Sequence, residues 1–211
     1  MTDVTERNRE RISRRQVDKF TERRAQLAAS ALQTLAELGY ARTSLREIAQ
    51  NSEFSHGVLH YYFSDKVDLL TQSVQQYEAA CVTRYDEVVA AATSAEELQK
   101  GFAAAMATTL RTDAPMHRLW YDLRNQSLFE EGFRADVLDI DQRREQMIWR
   151  VVEKYADLTG LPLAVTPPVA YAIFDGLFQQ ALLRYLAGRD DVIDELDANA
   201  QQALERSVNR G

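Results

Sequence analysis

Apolar residues recur along this chain at three- and four-residue spacing, and eight Gly and four Pro are too few turn residues for a strand-rich fold, so the pattern predicts helices throughout. Leu27, Ala31, Leu35 and Leu38 mark a first amphipathic helix from roughly Lys19, and Gly39 is placed to stop it. Thr43-Ser44 offer an N-cap, with Glu47 three residues after Ser44 as in a capping box, before Leu45, Ile48 and Ala49. Ser55 caps a third short segment, His56 to Phe63. Ser64-Asp65 cap a fourth, long helix expected to run through Leu69, Leu70, Val74 and Tyr77 to about Ala92. Ser94 with Glu97 starts the next, carrying Leu98, Phe102, Met106 and Leu110. Asp113-Ala114-Pro115 opens another with Leu119, Trp120, Leu123 and Leu128, Pro being tolerated in a first turn. A long helix after Gly132 ends near Gly160, and three of the four prolines, between Pro162 and Pro168, mark the one substantial loop. Thr166-Pro167-Pro168 then start an unusually apolar helix that Gly188 stops, and Asp190-Asp191 begin a last one to about Val208. The expected fold is all-α, with about nine helices.

Residues 1–18 hold too little apolar content to pack, and with Arg7, Arg9, Arg11, Arg14 and Arg15 they read as a mobile basic arm or a frayed terminus. The expected domains are that arm, a helix-turn-helix domain over 19–66, and an effector-binding and dimerisation domain over 67–211. A chain of 211 residues that is 45% hydrophobic can bury a core, which excludes a disordered protein. The net charge of −7 is uneven: residues 1–66 carry 11 Lys and Arg against 9 Asp and Glu, the remainder 14 against 23. Any anion partner is therefore expected at the N-terminal third. One cysteine, Cys81, rules out an internal disulfide, and no apolar run reaches the ~20 residues a bilayer needs, which points to a cytoplasmic protein without a membrane partner.

Two short helices joined by a tight turn, between longer ones, suit a helix-turn-helix, whose recognition helix must be held on one face and left bare on the other. At about 100° per residue, Leu59 and Phe63 share the inner face, with Ile48, Ala49 and Phe54 to pack against them. Tyr61 then points away, with His56 and His60 on one flank and Val58 and Tyr62 on the other. Gly57 removes a side chain from the outer face. Two packed core helices would give a similar periodicity.

The residue detail goes further. Residues 25–70 resemble the DNA-binding region of the TetR family of transcriptional regulators, through Gly39-Tyr40, Thr43-Ser44-Leu45-Arg46-Glu47-Ile48-Ala49 and Ser55-His56-Gly57-Val58-Leu59-His60-Tyr61-Tyr62-Phe63-Ser64-Asp65-Lys66, closing on Leu69-Leu70. Phe54 and His60 depart from the commonest residues, Val and Tyr. Phe174-Asp175-Gly176-Leu177-Phe178, followed by Ala181-Leu182-Leu183, is similar to the betaine-regulator branch. The resemblance implies that Thr43 and Ser44 cap the second helix and touch phosphate, and that Arg46 reaches toward the groove. It implies that His56, Gly57 and His60 meet base edges or the adjacent backbone, with Ser55 at the head of their helix. Tyr61 and Tyr62 would donate to phosphates or pack on sugars, and Lys66 would pair with a phosphate at the fourth helix N-terminus. It further implies a homodimer on a pseudo-palindromic double-stranded operator, usually a repressor, released by a small organic effector.

Within the second domain, Phe102, Met106, Trp120, Phe129, Met147, Trp149 and Phe174 could bound an apolar cavity of ~300–1,000 Å³. Arg124, four residues after Trp120, is the expected anchor for an effector with an anionic or strongly polar end; the rival expectation pairs it with a structural carboxylate. Phe174, Phe178, Leu182 and Tyr185, on a helix apolar on more than one face, are the expected dimer contacts. His56 and His60 are spaced like a helical zinc pair but lack the accompanying Glu and a third ligand, so no metal is expected. Cys81 has no activating neighbour in sequence, and Asp136, Asp139, Asp141, Arg143 and Arg144 read as a solvated helix face. Nothing points to catalysis or a cofactor. The alternative is a non-catalytic helical adaptor, or a nucleoid-type DNA-binding protein with no effector.

Overall fold

In the computed structural model the described residues are 2–209, with side chains from residue 15 onward. They form α1 (Thr2–Leu38), α2 (Leu45–Gln50), α3 (His56–Tyr62), α4 (Lys66–Cys81), α5 (Asp86–Ala91), α6 (Ala95–Gln126), a 3₁₀ turn (Glu131–Phe133), α7 (Arg134–Thr159), α8 (Pro167–Leu186) and α9 (Val192–Glu205). The chain divides into two compact units, residues 1–77 and 78–211. Among the described residues no helix is long and apolar enough to cross a membrane. Residues 2–18, expected as an arm, are helical and continuous with α1; no Gly or Pro occurs before Gly39 to interrupt them.

In the first unit α1, α2 and α3 pack around Leu27, Ala31, Leu35, Ile48, Leu59 and Phe63, all nearly or wholly excluded from solvent. Gly39 closes α1 at φ 77°, a backbone that favours glycine. Ser44 and Ser55 cap α2 and α3, accepting from the backbone N–H groups of Glu47 at 3.2 Å and Val58 at 3.3 Å.

The second unit is built on α6, which packs against α7, α8 and α9. The two helices expected on either side of Asp113 are joined into one kinked α6: Asp113 is non-helical (φ −122°, ψ 15°) and Pro115 follows. The long helix expected to reach about Ala92 instead ends at Cys81 and resumes as α5. Its interruption has a tertiary cause. Arg150 on α7 donates to the Val82 carbonyl at 2.6 Å and to the Asp86 carboxylate at 2.8 Å, taking up groups that a continuous helix would leave to itself or to water.

Candidate nucleic-acid and effector sites

α3 is seven residues long and is positioned entirely by its neighbours. Leu59 and Phe63 are buried, whereas His56, Gly57, His60 and Tyr61 are exposed, Tyr61 to 74%. The two histidines touch, Nε2 to Nε2 at 3.1 Å, with rings edge to face. Tyr62 is half-buried and packs on Phe20 of α1, ring centroids 4.8 Å apart. A Cβ built at Gly57 would meet nothing within 4 Å. Packing therefore does not require glycine here, although glycine is a poor helix former. On α2, Arg46 is exposed.

Two residues are placed differently from expectation. Thr43 is 3% exposed and its hydroxyl donates to the Gly39 carbonyl at 2.7 Å, so it secures the α1–α2 turn and is not presented to a phosphate. The Lys66 ammonium bonds the Tyr40 carbonyl and lies 3.8 Å from that ring's centroid, so its first task is to hold the same turn against α4. Sequence reasoning missed Arg24 on α1. Its guanidinium donates to the Tyr62 carbonyl at 3.0 Å, pairs with Asp68, and lies 4.7 Å over the Phe63 ring. It thereby fixes the end of the recognition helix and the start of α4. An Arg at the α1 position just before the buried Leu27 was the available signal, but its partners lie 38 and 44 residues away.

In the second unit a cavity of about 40 Å³ lies between α6, α7 and α8. Met106, Met147 and Phe174 line it, as expected, and Phe102 stands behind Phe174, ring centroids 5.2 Å apart. Its size is far below the expected ~300–1,000 Å³, because the aromatic side chains close on one another. Phe129 is 84% exposed beyond the end of α6 and does not contribute; Trp149 is half-buried outside the lining. Arg124 is committed to carboxylates: Asp175 at 2.6 Å and Asp141 at 3.3 Å. The rival expectation describes it, and the anion-anchor role falls.

The polar lining is formed by Tyr121, Tyr171, Asp175, Arg144 and His117, with Tyr85 beside them. Tyr121 donates to the Asp175 carboxylate at 2.9 Å, and Tyr171 to Asp141 at 2.8 Å. Burial, with Asp175 second, raises both phenols above their ordinary pKa, and burial pushes Tyr85 up to about 12, so all three are neutral. Arg144, expected on a solvated face, is buried and forms a bidentate pair with the fully buried Glu78, one arm at 2.8 Å. Burial opposes its charge, but Glu78 outweighs that and keeps the guanidinium protonated. His117 is buried against Phe178, and neither ring nitrogen has a partner. Burial first, then Arg144 and Arg84, holds it well below its usual pKa, so it is neutral. Among the described residues no group of three or more His, Cys, Asp or Glu could hold a metal. Cys81 is buried, with Arg84 donating to its Sγ at 3.3 Å.

α8 turns its expected dimer contacts inward: Phe174, Phe178 and Leu182 are 2–5% exposed and belong to the core, while Tyr185 is half-buried. The apolar residues left outside are Val169, Ile173, Leu183 and Leu186, with Leu183 72% exposed. A groove of about 390 Å³ lies beside them, lined by Arg118, Gly176, Gln179 and Leu183 among others. Gly176 resembles Gly57, since a Cβ there would meet nothing within 4 Å.

Residues 27–72 match the family described as bacterial regulatory proteins, tetR family. The HTH-type transcriptional regulator BetI of Burkholderia thailandensis is 29% identical over 113 residues, 53% of this chain and 58% of that protein, so the chain spans little more than half the length of such curated relatives. A transcriptional regulator from Saccharomonospora viridis in complex with choline superposes with a TM-score of 0.73 at 17% identity, covering 89% of this chain and 98% of that one. The regulator FadR from Bacillus subtilis in complex with stearoyl-CoA gives 0.67 at 18% identity, covering 87% and 97%. At these identities the structural likeness establishes the fold.

Proposed function

We propose that this chain, whose residues 27–72 match the tetR family of bacterial regulatory proteins, is a homodimeric transcriptional repressor whose operator affinity a small molecule lowers. Residues 1–77 are the DNA-binding unit, and residues 78–211 carry effector binding and dimerisation. The observation that carries the DNA reading is the two-sided character of α3: Leu59 and Phe63 buried, His56, Gly57, His60 and Tyr61 bare. That face, with Arg46, enters the major groove. Gly57 lets the helix approach closely, and Tyr62 and the caps of α2 and α3 meet the backbone. Few of these groups read bases, so DNA shape contributes to specificity.

The dimer surface is the outer stripe of α8, Val169, Ile173, Gly176, Leu183 and Leu186, where the bare Gly176 admits a second helix. Two-fold pairing there matches a palindromic operator. Structural neighbours in complex with choline and with stearoyl-CoA, ligands that differ widely in chemistry, support a small-molecule effector. Operator release then requires only that effector binding in residues 78–211 be coupled to DNA binding in residues 1–77. A coupling of ~1–3 kcal/mol suffices.

Footprinting of the intergenic DNA upstream of the gene with purified protein tests this reading. A protected palindrome is expected, with protection lost for Arg46→Ala and falling steeply with salt as phosphate counterions are released. Sequence-independent binding unaffected by Arg46→Ala would refute it.

A further inference from the structure

Every charged group that faces the cavity of the second unit is already answered. Arg144 is held by Glu78, and Asp175 accepts from Tyr121 and Arg124. These two lining charges are opposite in sign, so a charged guest would shed its water and meet no uncommitted counter-charge. The phenols of Tyr121 and Tyr171 are likewise engaged as donors. What is not answered is the imidazole of His117. Its Nδ1 and Nε2 are buried with no partner, and one turn along the same face of α6 the Trp120 indole N–H is in the same condition. Among the described residues these three are the buried side-chain N and O atoms left without a hydrogen bond.

A neutral imidazole offers one donor and one acceptor. The Phe178 ring, 4.4 Å away, packs against the imidazole, and the polar atoms so held share the cavity with Met106, Met147, Ile148 and Phe174. Folding alone gives no reason for this. A phenylalanine would fill the position without leaving polar atoms unpaired. The smallness of the cavity is no obstacle, because two of its walls are methionines, whose unbranched side chains re-pack readily.

We propose that His117 is the recognition group for the effector, and that the effector is a small uncharged molecule with an apolar body and one hydroxyl, carbonyl or amide group. The proposal rests on the effector-responsive reading above and narrows it. It replaces the anionic effector anchored by Arg124 that the sequence suggested.

The test uses the full-length protein and four probes of one aromatic size: benzyl alcohol, benzoate, benzylammonium and toluene. Binding is read by intrinsic fluorescence, since Trp120 adjoins His117, and by calorimetry. Benzyl alcohol is expected to bind about tenfold more tightly than toluene, the net value of one good hydrogen bond, with benzoate and benzylammonium weaker than both. In His117→Phe, benzyl alcohol should fall to the affinity of toluene, while toluene binding and the Tm do not fall. In His117→Gln, which keeps a donor and an acceptor, part of the preference should return. A charged probe binding most tightly, an alcohol preference that survives His117→Phe, or the failure of all four to enter would overturn the proposal. Binding in the expected order with DNA occupancy unchanged at saturation would support the site and overturn the effector reading, so the two failures are distinct.

Discussion

An imidazole sealed in a protein interior without a partner is a standing loss of stability, and its removal should be felt as a gain. His117→Phe is expected to stabilise the protein by about 1–3 kcal/mol, the desolvation penalty of an unpaired buried polar group, measured by urea unfolding. The same residue predicts a pH dependence. Its folded pKa lies below the ordinary ~6.5, lowered by burial and then by Arg144 and Arg84, so the unfolded chain takes up the proton first. The stability associated with neutral His117 is complete above that value and declines as pH falls below it. The surrounding phenols stay protonated throughout this range, being raised by burial. The wild type should therefore lose more stability between pH 7 and 5.5 than His117→Phe, and equal losses would show that His117 is not the group responsible. Gly57 supplies the complementary case on the other unit. Gly57→Ala should raise stability by about 0.5–1 kcal/mol, because open space receives the methyl and helix propensity improves. If the recognition face approaches DNA closely, the same change should weaken operator binding, a combination that a purely structural glycine would not produce.

At the scale of elements, several helix limits are set by side chains from other helices. Arg150 of α7 stops α4 and frees α5 to turn, while Arg24 of α1 ties down the end of α3. The Arg144–Glu78 pair joins α7 to the last turn of α4 with both partners almost fully buried. Such a pair adds little relative to apolar residues, but breaking one side strands the other. Glu78→Ala is thus expected to destabilise by about 3–5 kcal/mol. The exposed Lys100–Glu96 pair on α6, with its contact at 2.6 Å, should show no measurable change on Lys100→Ala. A double substitution of Arg144 and Glu78 by apolar residues of similar size should recover most of the loss. Chemical denaturation of the three variants checks all of this.

At the scale of the whole molecule, the relevant quantities are assembly and charge. The apolar side chains of α8 are divided between an inner set, Phe174, Phe178 and Leu182, and an outer set, Val169, Ile173, Leu183 and Leu186. The two sets respond differently to a charge. Leu183→Asp should leave the helical content intact and convert the proposed dimer to monomer in sedimentation, with operator affinity falling as the second head is lost. Phe178→Asp should instead lower the Tm severely, since it buries a charge in the core. A wild-type monomer at micromolar concentration would remove the dimer altogether. The acidic remainder of the chain, 23 Asp and Glu against 14 Lys and Arg after residue 66, disfavours approach of DNA to any part but the first unit.

The division between what sequence and tertiary structure decide follows from the range of the interactions. Helix periodicity, serine caps and glycine stops act within a turn or two. The all-α fold, the caps at Ser44, Ser55 and Ser94, the break at Asp113–Pro115 and the inner face of α3 could all be read from neighbouring residues. Pairings between distant residues left no comparable mark. Arg124 beside Trp120 on one helix face looked like an anchor until Asp175 and Asp141, on other helices, took its charge. Arg144 lay in a charged run like any solvated stretch, and nothing in its neighbourhood announced Glu78, 66 residues earlier. An apolar helix shows how much of it is greasy, not which stripe its own chain covers, so the sequence does not separate the buried side of α8 from the exposed one. In sequence His117 is a histidine far from the other two, with nothing beside it to mark a role. That it is buried, neutral and without a partner is decided by helices that close around it, because burial is a property of everything within reach in space and not of the residues next in line.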